Sequence, residues 1–193
     1  AFDQLRTKLR RQLVRAGANE VLTYSFVHGD LMQKAGQKRE EAYRITNSIS
    51  PDLQYYRQSL TPSLLAAIHP NVKAGYDEYA IFEFNKFHTK RHGLNEEEVP
   101  KELDSLALVV TRQKKQASAA FYSAKQYLQY LADSMGIELF YEPLEADSDY
   151  PVTQPFEPKR SARVWDRTKT VRIGVVGEYR RAVAKAFKLP DHT

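Results

Sequence analysis

The run Tyr79-Ala80-Ile81-Phe82-Glu83-Phe84-Asn85-Lys86-Phe87 sets aromatic and β-branched side chains at Tyr79, Ile81, Phe82, Phe84 and Phe87. Residues of this kind fit a pleated, half-buried surface, so the run predicts a strand. Within it, Glu83 is a lone carboxylate in apolar surroundings: either an acid with a perturbed pKa or one member of a structural pair. Downstream, the polar stretch His88 to Pro100 predicts a connection and Leu103 to Val110 a second strand. Upstream, Arg57-Gln58-Ser59-Leu60 leads into Thr61-Pro62, which predicts a helix with Thr61 as N-cap and Pro62 in the first helical position. Leu64, Leu65 and Ile68 give that helix a buried face. Pro70 predicts a kink or an early end, because proline removes a backbone donor and crowds the carbonyl four residues earlier.

Further out, Phe2, Leu5, Leu9, Leu13 and Val14 recur at helical spacing up to Gly17, a C-terminal stop. Val21 to Val27 predicts a strand, Asp30 the cap of a short helix through Leu31 and Met32, and Tyr43 to Ile49 another strand. Toward the C-terminus, Ala119 to Met135 predicts a long helix with Phe121, Ala124, Leu128 and Leu131 on one stripe, closed by Gly136. Ile137 to Tyr141 predicts a strand and Glu142 to Phe156, with three prolines, a loop. Ser161 to Trp165 and Thr170 to Val176 predict a hairpin around Asp166-Arg167, and Arg180 to Phe187 a closing helix. Strands outnumber helices and short turns join several of them. This predicts the α+β class, an antiparallel sheet with helices on one face.

Composition narrows the function classes. Hydrophobic residues are 42% and charged residues 27%, as in a water-soluble globular protein, and no apolar run reaches the roughly 18 to 20 residues that span a membrane. With no cysteine there is no disulfide framework, thiolate zinc site or cysteine nucleophile. The net charge of +5 is uneven. Between Pro158 and Lys188 ten basic residues face only Asp166 and Glu178, a net of +8 that leaves −3 for the remainder. Such a basic third fits contact with nucleic acid, with Lys159, Arg160, Arg163, Arg180 and Arg181 as candidates, or the solvated face of ordinary elements.

No stretch makes a self-sufficient active site. His88 and His92 are four apart, a metal-ligand spacing on a helix, but they follow a strand and sit beside Lys90 and Arg91. Ile173-Gly174-Val175-Val176-Gly177-Glu178 has two glycines three apart and lacks a full phosphate-binding fingerprint. It reads as a strand bulge at Gly174 and a strand-to-helix turn at Gly177. Ser25 and Ser59 have no base placed to activate them.

Four segments, in order, resemble the synthetase-like core of the bacterial-type phenylalanyl-tRNA synthetase beta subunit. The first is Gly17-Ala18-Asn19-Glu20-Val21-Leu22-Thr23-Tyr24-Ser25-Phe26, with Glu20, Tyr24, Ser25 and Phe26 as signature residues. The second is Thr46-Asn47-Ser48-Ile49-Ser50 with Arg57-Gln58-Ser59-Leu60 and, in the following helix, Asn71. The third is Phe82-Glu83 and its strand. The fourth joins Pro158-Lys159-Arg160-Ser161-Ala162 to Gly174, Gly177 and Glu178. Ser48 stands where the family has Pro, Asn85 where it has Gly, and Tyr179-Arg180-Arg181 where it has Leu-His-Pro.

The resemblance implies a fold like a class II aminoacyl-tRNA synthetase domain over residues 1 to 193, one piece of a longer beta chain in the cytoplasm. It also implies that this copy is catalytically inert, with no catalytic, cofactor or metal residues of its own. The alpha subunit, its partner in a heterotetramer, would hold ATP and magnesium, and tRNA would be met through the parent complex. Glu178 agrees with inertness, since a carboxylate where a cation would be wanted repels a triphosphate. A surviving adenylate or amino-acid pocket would instead bring Arg57 and Arg160 together.

Overall fold

The computed structural model describes residues 2–113, 119–146 and 148–193. An N-terminal helix, α1 (Phe2–Arg15), leads through a turn at Gly17 into the short strand β1 (Ala18–Glu20). Next come β2 (Phe26–Val27), α2 (Gly29–Lys34), β3 (Tyr55–Tyr56), α3 (Thr61–Lys73) and β4 (Glu78–Phe87). The second half holds β5 (Leu103–Arg112), α4 (Ala120–Met135), β6 (Leu139–Pro143), β7 (Phe156–Asp166), β8 (Arg172–Tyr179) and α5 (Arg181–Phe187).

The strands form three sheets, in the orders β1-β4-β5, β2-β3 and β6-β7-β8. All pairings are antiparallel except β1 with β4, which run parallel from Ala18 opposite Ala80 to Glu20 opposite Phe82. The central pair, β4 and β5, is matched over ten residues without a register shift.

Alternation along β4 and β5 sends neighbouring side chains to opposite faces, and each face has its own core. Ile81 and Val109 pack with Leu64, Leu65 and Ile68 of α3, Val183 and Phe187 of α5, and Ala35. Ala80 and Phe82 pack with Leu13 of α1, Leu131 of α4 and Ala18, with Leu106, Leu108 and Val110 at the margin. Helices therefore cover both faces, not one. Single-sequence patterning had no way to show this, because β4 carries apolar residues at both parities.

Three boundaries differ from the sequence reading. The run predicted as a strand from Val21 to Val27 is extended, but only Phe26–Val27 enters a ladder. Its Val21 N–H donates to the Phe82 carbonyl, and beyond that point side chains take over the pairing. The predicted strand Tyr43 to Ile49 is reduced to a bridge between Arg44 and Tyr55. The caps also move. His28, whose Nδ1 accepts from the Asp30 N–H, caps α2, leaving Asp30 in the first turn. Leu60 occupies the cap position of α3 with no side-chain bond, so Thr61 and Pro62 lie inside its first turn. Pro70 sits within α3, which ends one turn later at Lys73. The predicted hairpin is present and longer on both arms, and Gly136 closes α4 in the left-handed conformation at φ 69°. Of the predicted loop Glu142 to Phe156, position 147 lies outside the described residues.

Candidate functional site

Arg57 and Glu83 form a buried ion pair where the segment after β1 crosses the end of β4. Their side chains are each 1% exposed. The sequence left Glu83 between two roles, and the geometry assigns it the structural one. The guanidinium reaches Glu83 from both Nη1 (3.1 Å) and Nη2 (3.1 Å), while its Nε donates to the Lys86 carbonyl (3.0 Å). Burial lowers the Arg57 pKa, and the charge of Glu83 and its hydrogen bonds pull the other way.

Two residues that pattern reading did not single out complete the node. Thr23 donates its N–H (3.2 Å) and its hydroxyl (2.6 Å) to Glu83, and accepts from Arg57 Nη1 (2.7 Å). Asn85, which replaces the family glycine, donates from Nδ2 to Glu83 at 2.8 Å. Glu83 thus accepts from five donor groups, the satisfaction a buried charge needs. Backbone bonds lock the frame: the Arg57 N–H donates to the Ser25 carbonyl, and the His88 N–H to the Arg57 carbonyl.

This node decides which way the first signature segment faces. With Thr23 drawn inward, the residues on either side turn out: Leu22 is 84% exposed and Tyr24 76%. Val21, Thr23 and Ser25 are half-buried. The result is a short apolar edge held rigidly in solvent, and α1 adds exposed Phe2, Leu5 and Val14.

The other signature residues are mostly structural. Phe82, Ser59 and Leu60 are buried, and Ser59 accepts from Gln37 Nε2 at 2.7 Å. Glu20 accepts from Arg10, Phe26 stacks edge-on against Tyr56, and Asn71 donates to the Ala67 carbonyl within α3. Pro158, Ser161 and Ala162 lie on β7 with the latter two buried, while Asn47 is exposed in a turn. His88 is buried against the Tyr56 ring, and His92 lies outside and bonds Tyr150, so the two histidines point apart.

Arg57 and Arg160 do not converge. Arg160 is 67% exposed and pairs with Glu178 at 2.6 Å. The argument from an unopposed Glu178 is therefore corrected: Arg160 neutralises it. The ten basic residues also fail to share one face. Arg163, Arg167 and Lys169 pair with Glu145, Glu138 and Glu142 across the β6 edge. Arg180 donates to the Gln154 carbonyl, and the exposed residues Arg181, Lys185 and Lys188 follow one side of α5. Gly177 is likewise not at a turn but inside β8, opposite Ser161, while a register shift falls beside Gly174.

Arg91 holds two loops together, which spacing in the sequence could not reveal. It makes two bonds to Glu41 (2.8 and 3.1 Å) and two to Asp149 (2.9 Å each). The guanidinium lowers the pKa of both carboxylates. A lowered carboxylate pKa stabilises the fold above the unfolded value, 4.5 for Glu41, and that contribution is lost as pH falls through the folded value. Arg91→Ala is expected to flatten the fall in stability below about pH 4.5, read from denaturant midpoints across the acid range. A variant that kept the parent's acid slope would show the clamp to be silent.

The model of the phenylalanyl tRNA synthetase beta chain CLM domain matches residues 1–193. The phenylalanine–tRNA ligase beta subunit of Geobacillus kaustophilus is 28% identical over 98% of this chain and 23% of its own length. That of Carboxydothermus hydrogenoformans is 27% identical over 95% of this chain and 23% of its own. The chain thus spans less than a quarter of the relatives it matches. Among solved structures, pyrrolysyl-tRNA synthetase from Desulfitobacterium hafniense superposes with a TM-score of 0.66 at 15% identity, over 98% of this chain and 63% of that one. That likeness is one of fold: mixed α+β, with antiparallel sheets and helices.

Proposed function

Because this chain belongs to the family of the phenylalanyl-tRNA synthetase beta chain CLM domain, we propose that it is a non-catalytic module of a phenylalanine–tRNA ligase. In this reading it pairs with the alpha subunit of a cytoplasmic heterotetramer, and the alpha subunit carries ATP, magnesium and the aminoacylation chemistry. Residues 1 to 193 act as one class II-like unit, with antiparallel sheet flanked by helices, and tRNA is met through the whole complex. The observation that carries this is the outward-held pair Leu22 and Tyr24 on either side of the buried Arg57–Glu83 node. An exposed apolar edge fixed by a rigid core suits a permanent protein contact, and tyrosine is among the side chains enriched there. The arginines a nucleotide pocket would draw on are spent elsewhere: Arg57 is enclosed by Glu83 and Arg160 is held by Glu178.

The test is titration of purified alpha subunit into full-length beta chain carrying Leu22→Ser and Tyr24→Ser. Affinity is expected to fall about 10- to 100-fold, as for loss of interface anchors, with the melting temperature unchanged because neither side chain is in a core. Undiminished affinity would remove this edge from the interface. Saturable binding of ATP or phenylalanine to the beta chain alone would overturn the non-catalytic reading.

A further inference from the structure

β5 and β8 each pair on one side only, and their other edges face one another across α4. Two hollows of about 140 and 410 Å³ lie between them and share Leu106, Leu108, Leu128, Phe156, Val175 and Tyr179 in their walls. Asp104 to Leu108 lines one end with Arg172 to Val175. Leu106 to Val110 lines the other with Val175 to Tyr179 and Thr193. The two strands therefore run in the same direction. An antiparallel sheet fits one strand of opposite direction between such neighbours.

The backbone groups point the right way. Gln113 donates to Asp77 on the β4 side and Arg112 to His192 on the other, so alternation turns Val110, Leu108 and Leu106 toward the cleft. On β7, Ser161 accepts from the Leu144 N–H on the β6 side, which turns its partner Gly177, and with it Val175, toward the cleft. Buried backbone donors and acceptors require partners.

The polarity and register of such a strand are already set. His192 bridges Arg112 in antiparallel sense, with a backbone bond of 2.9 Å, and the Thr111 and Thr193 hydroxyls meet at 2.7 Å. We infer that the cleft is closed by an extended strand running on from Thr193, antiparallel to both edges, which joins the two three-stranded sheets into one. Near Thr193 the cleft is apolar on both faces, with Leu106, Leu108, Val110, Leu128 and Val176 around it. The far end is polar, with Asp104, Ser105, Arg163 and Arg172. The strand is therefore apolar at consecutive positions first and polar after about one further turn of the pleat.

Because Thr111 faces Thr193, each step back along β5 is a step forward beyond Thr193, and Ala107 falls opposite the fourth residue past it. Cysteines are placed at these two positions in the full-length beta chain. Mild oxidation is expected to give an intramolecular disulfide, seen as a cross-linked peptide by mass spectrometry. Moving the second cysteine one residue on points it to the opposite face, and no cross-link should form. A disulfide between two chains would put a second copy in the cleft and overturn the inference, as would equal cross-linking in both registers. A second measurement needs no substitution: in the full-length chain the amides of Leu106, Leu108 and Val110 are expected to exchange at least about 100-fold more slowly than exposed loop amides. Exchange at loop rates means an open edge and a wrong inference.

Discussion

Arg57→Ala is expected to cost the fold about 3–5 kcal/mol, the usual result of leaving a buried charge without its partner. That is a large share of the roughly 5–15 kcal/mol by which domains are stable. The cause is not the loss of attraction alone. Removing the guanidinium leaves Glu83, itself 0% exposed, with only the Thr23 and Asn85 donors, and releases the Lys86 carbonyl and the Thr23 hydroxyl. Arg57→Lys keeps the charge but not the planar fork, which cannot be matched by one ammonium, and should fall between parent and alanine variant. Arg57→Met combined with Glu83→Leu removes both charges and should recover much of the loss. Denaturant unfolding of the four proteins decides. An alanine variant that unfolds with the parent would mean the node contributes nothing to stability, and the rigid presentation of Leu22 and Tyr24 would lose its basis.

Gly177→Val is expected to cost about 3 kcal/mol or more, at or beyond the upper end of ordinary overpacking. Gly177 does not need an unusual backbone angle. It lies in β8 where the chain comes so close to β7 that an added Cβ would sit 2.6 Å from Ser161 Cα and closer still to its side chain. Backbone cannot swing away as a long side chain can, so the two strands must part, and with them the Ala162–Val176 pairing of the small core beneath α4. Gly174 is the internal control. Nothing lies within 4 Å of the position its Cβ would take, and Gly174→Ala should stay within about 0.5 kcal/mol of the parent. Thermal unfolding separates the two, and equal melting of Gly177→Val and parent would refute the close approach.

The regular elements were legible because their signals are local. β4 and β5 carry dense β-branched and aromatic runs, α1 and α4 carry helical stripes, and Gly136 stops α4 where expected. The misread segments fail for one physical reason. Val21 to Val27 has the composition of a strand, yet past Val21 its partners are the side chains of Glu83 and Arg57, sixty and thirty-four positions from Thr23. No periodicity reports a backbone held by side chains. The site behaves alike. Glu83 and Arg57 could each be picked out singly, as an isolated carboxylate and a signature arginine, but their pairing depends on the crossing of chain segments. The Arg91 clamp joins residues fifty and fifty-eight positions away and left no local mark at all. The basic third shows the converse: a clear sequence signal, +8 over one stretch, that folding disperses by pairing with the acids of β6 and the following loop.

The packing of α1 on α4 has a consequence for the newly made chain. Tyr130 donates to Gln12 across 118 positions, and Leu131 shares a core with Leu13. At about 5–20 residues per second of synthesis, the apolar stripe of the first helix waits roughly 6 to 25 seconds for its cover. Throughout that interval the leading end of the polypeptide offers Leu9 and Leu13 to whatever surrounds the ribosome, so this is the stretch for which chaperones and proteases compete.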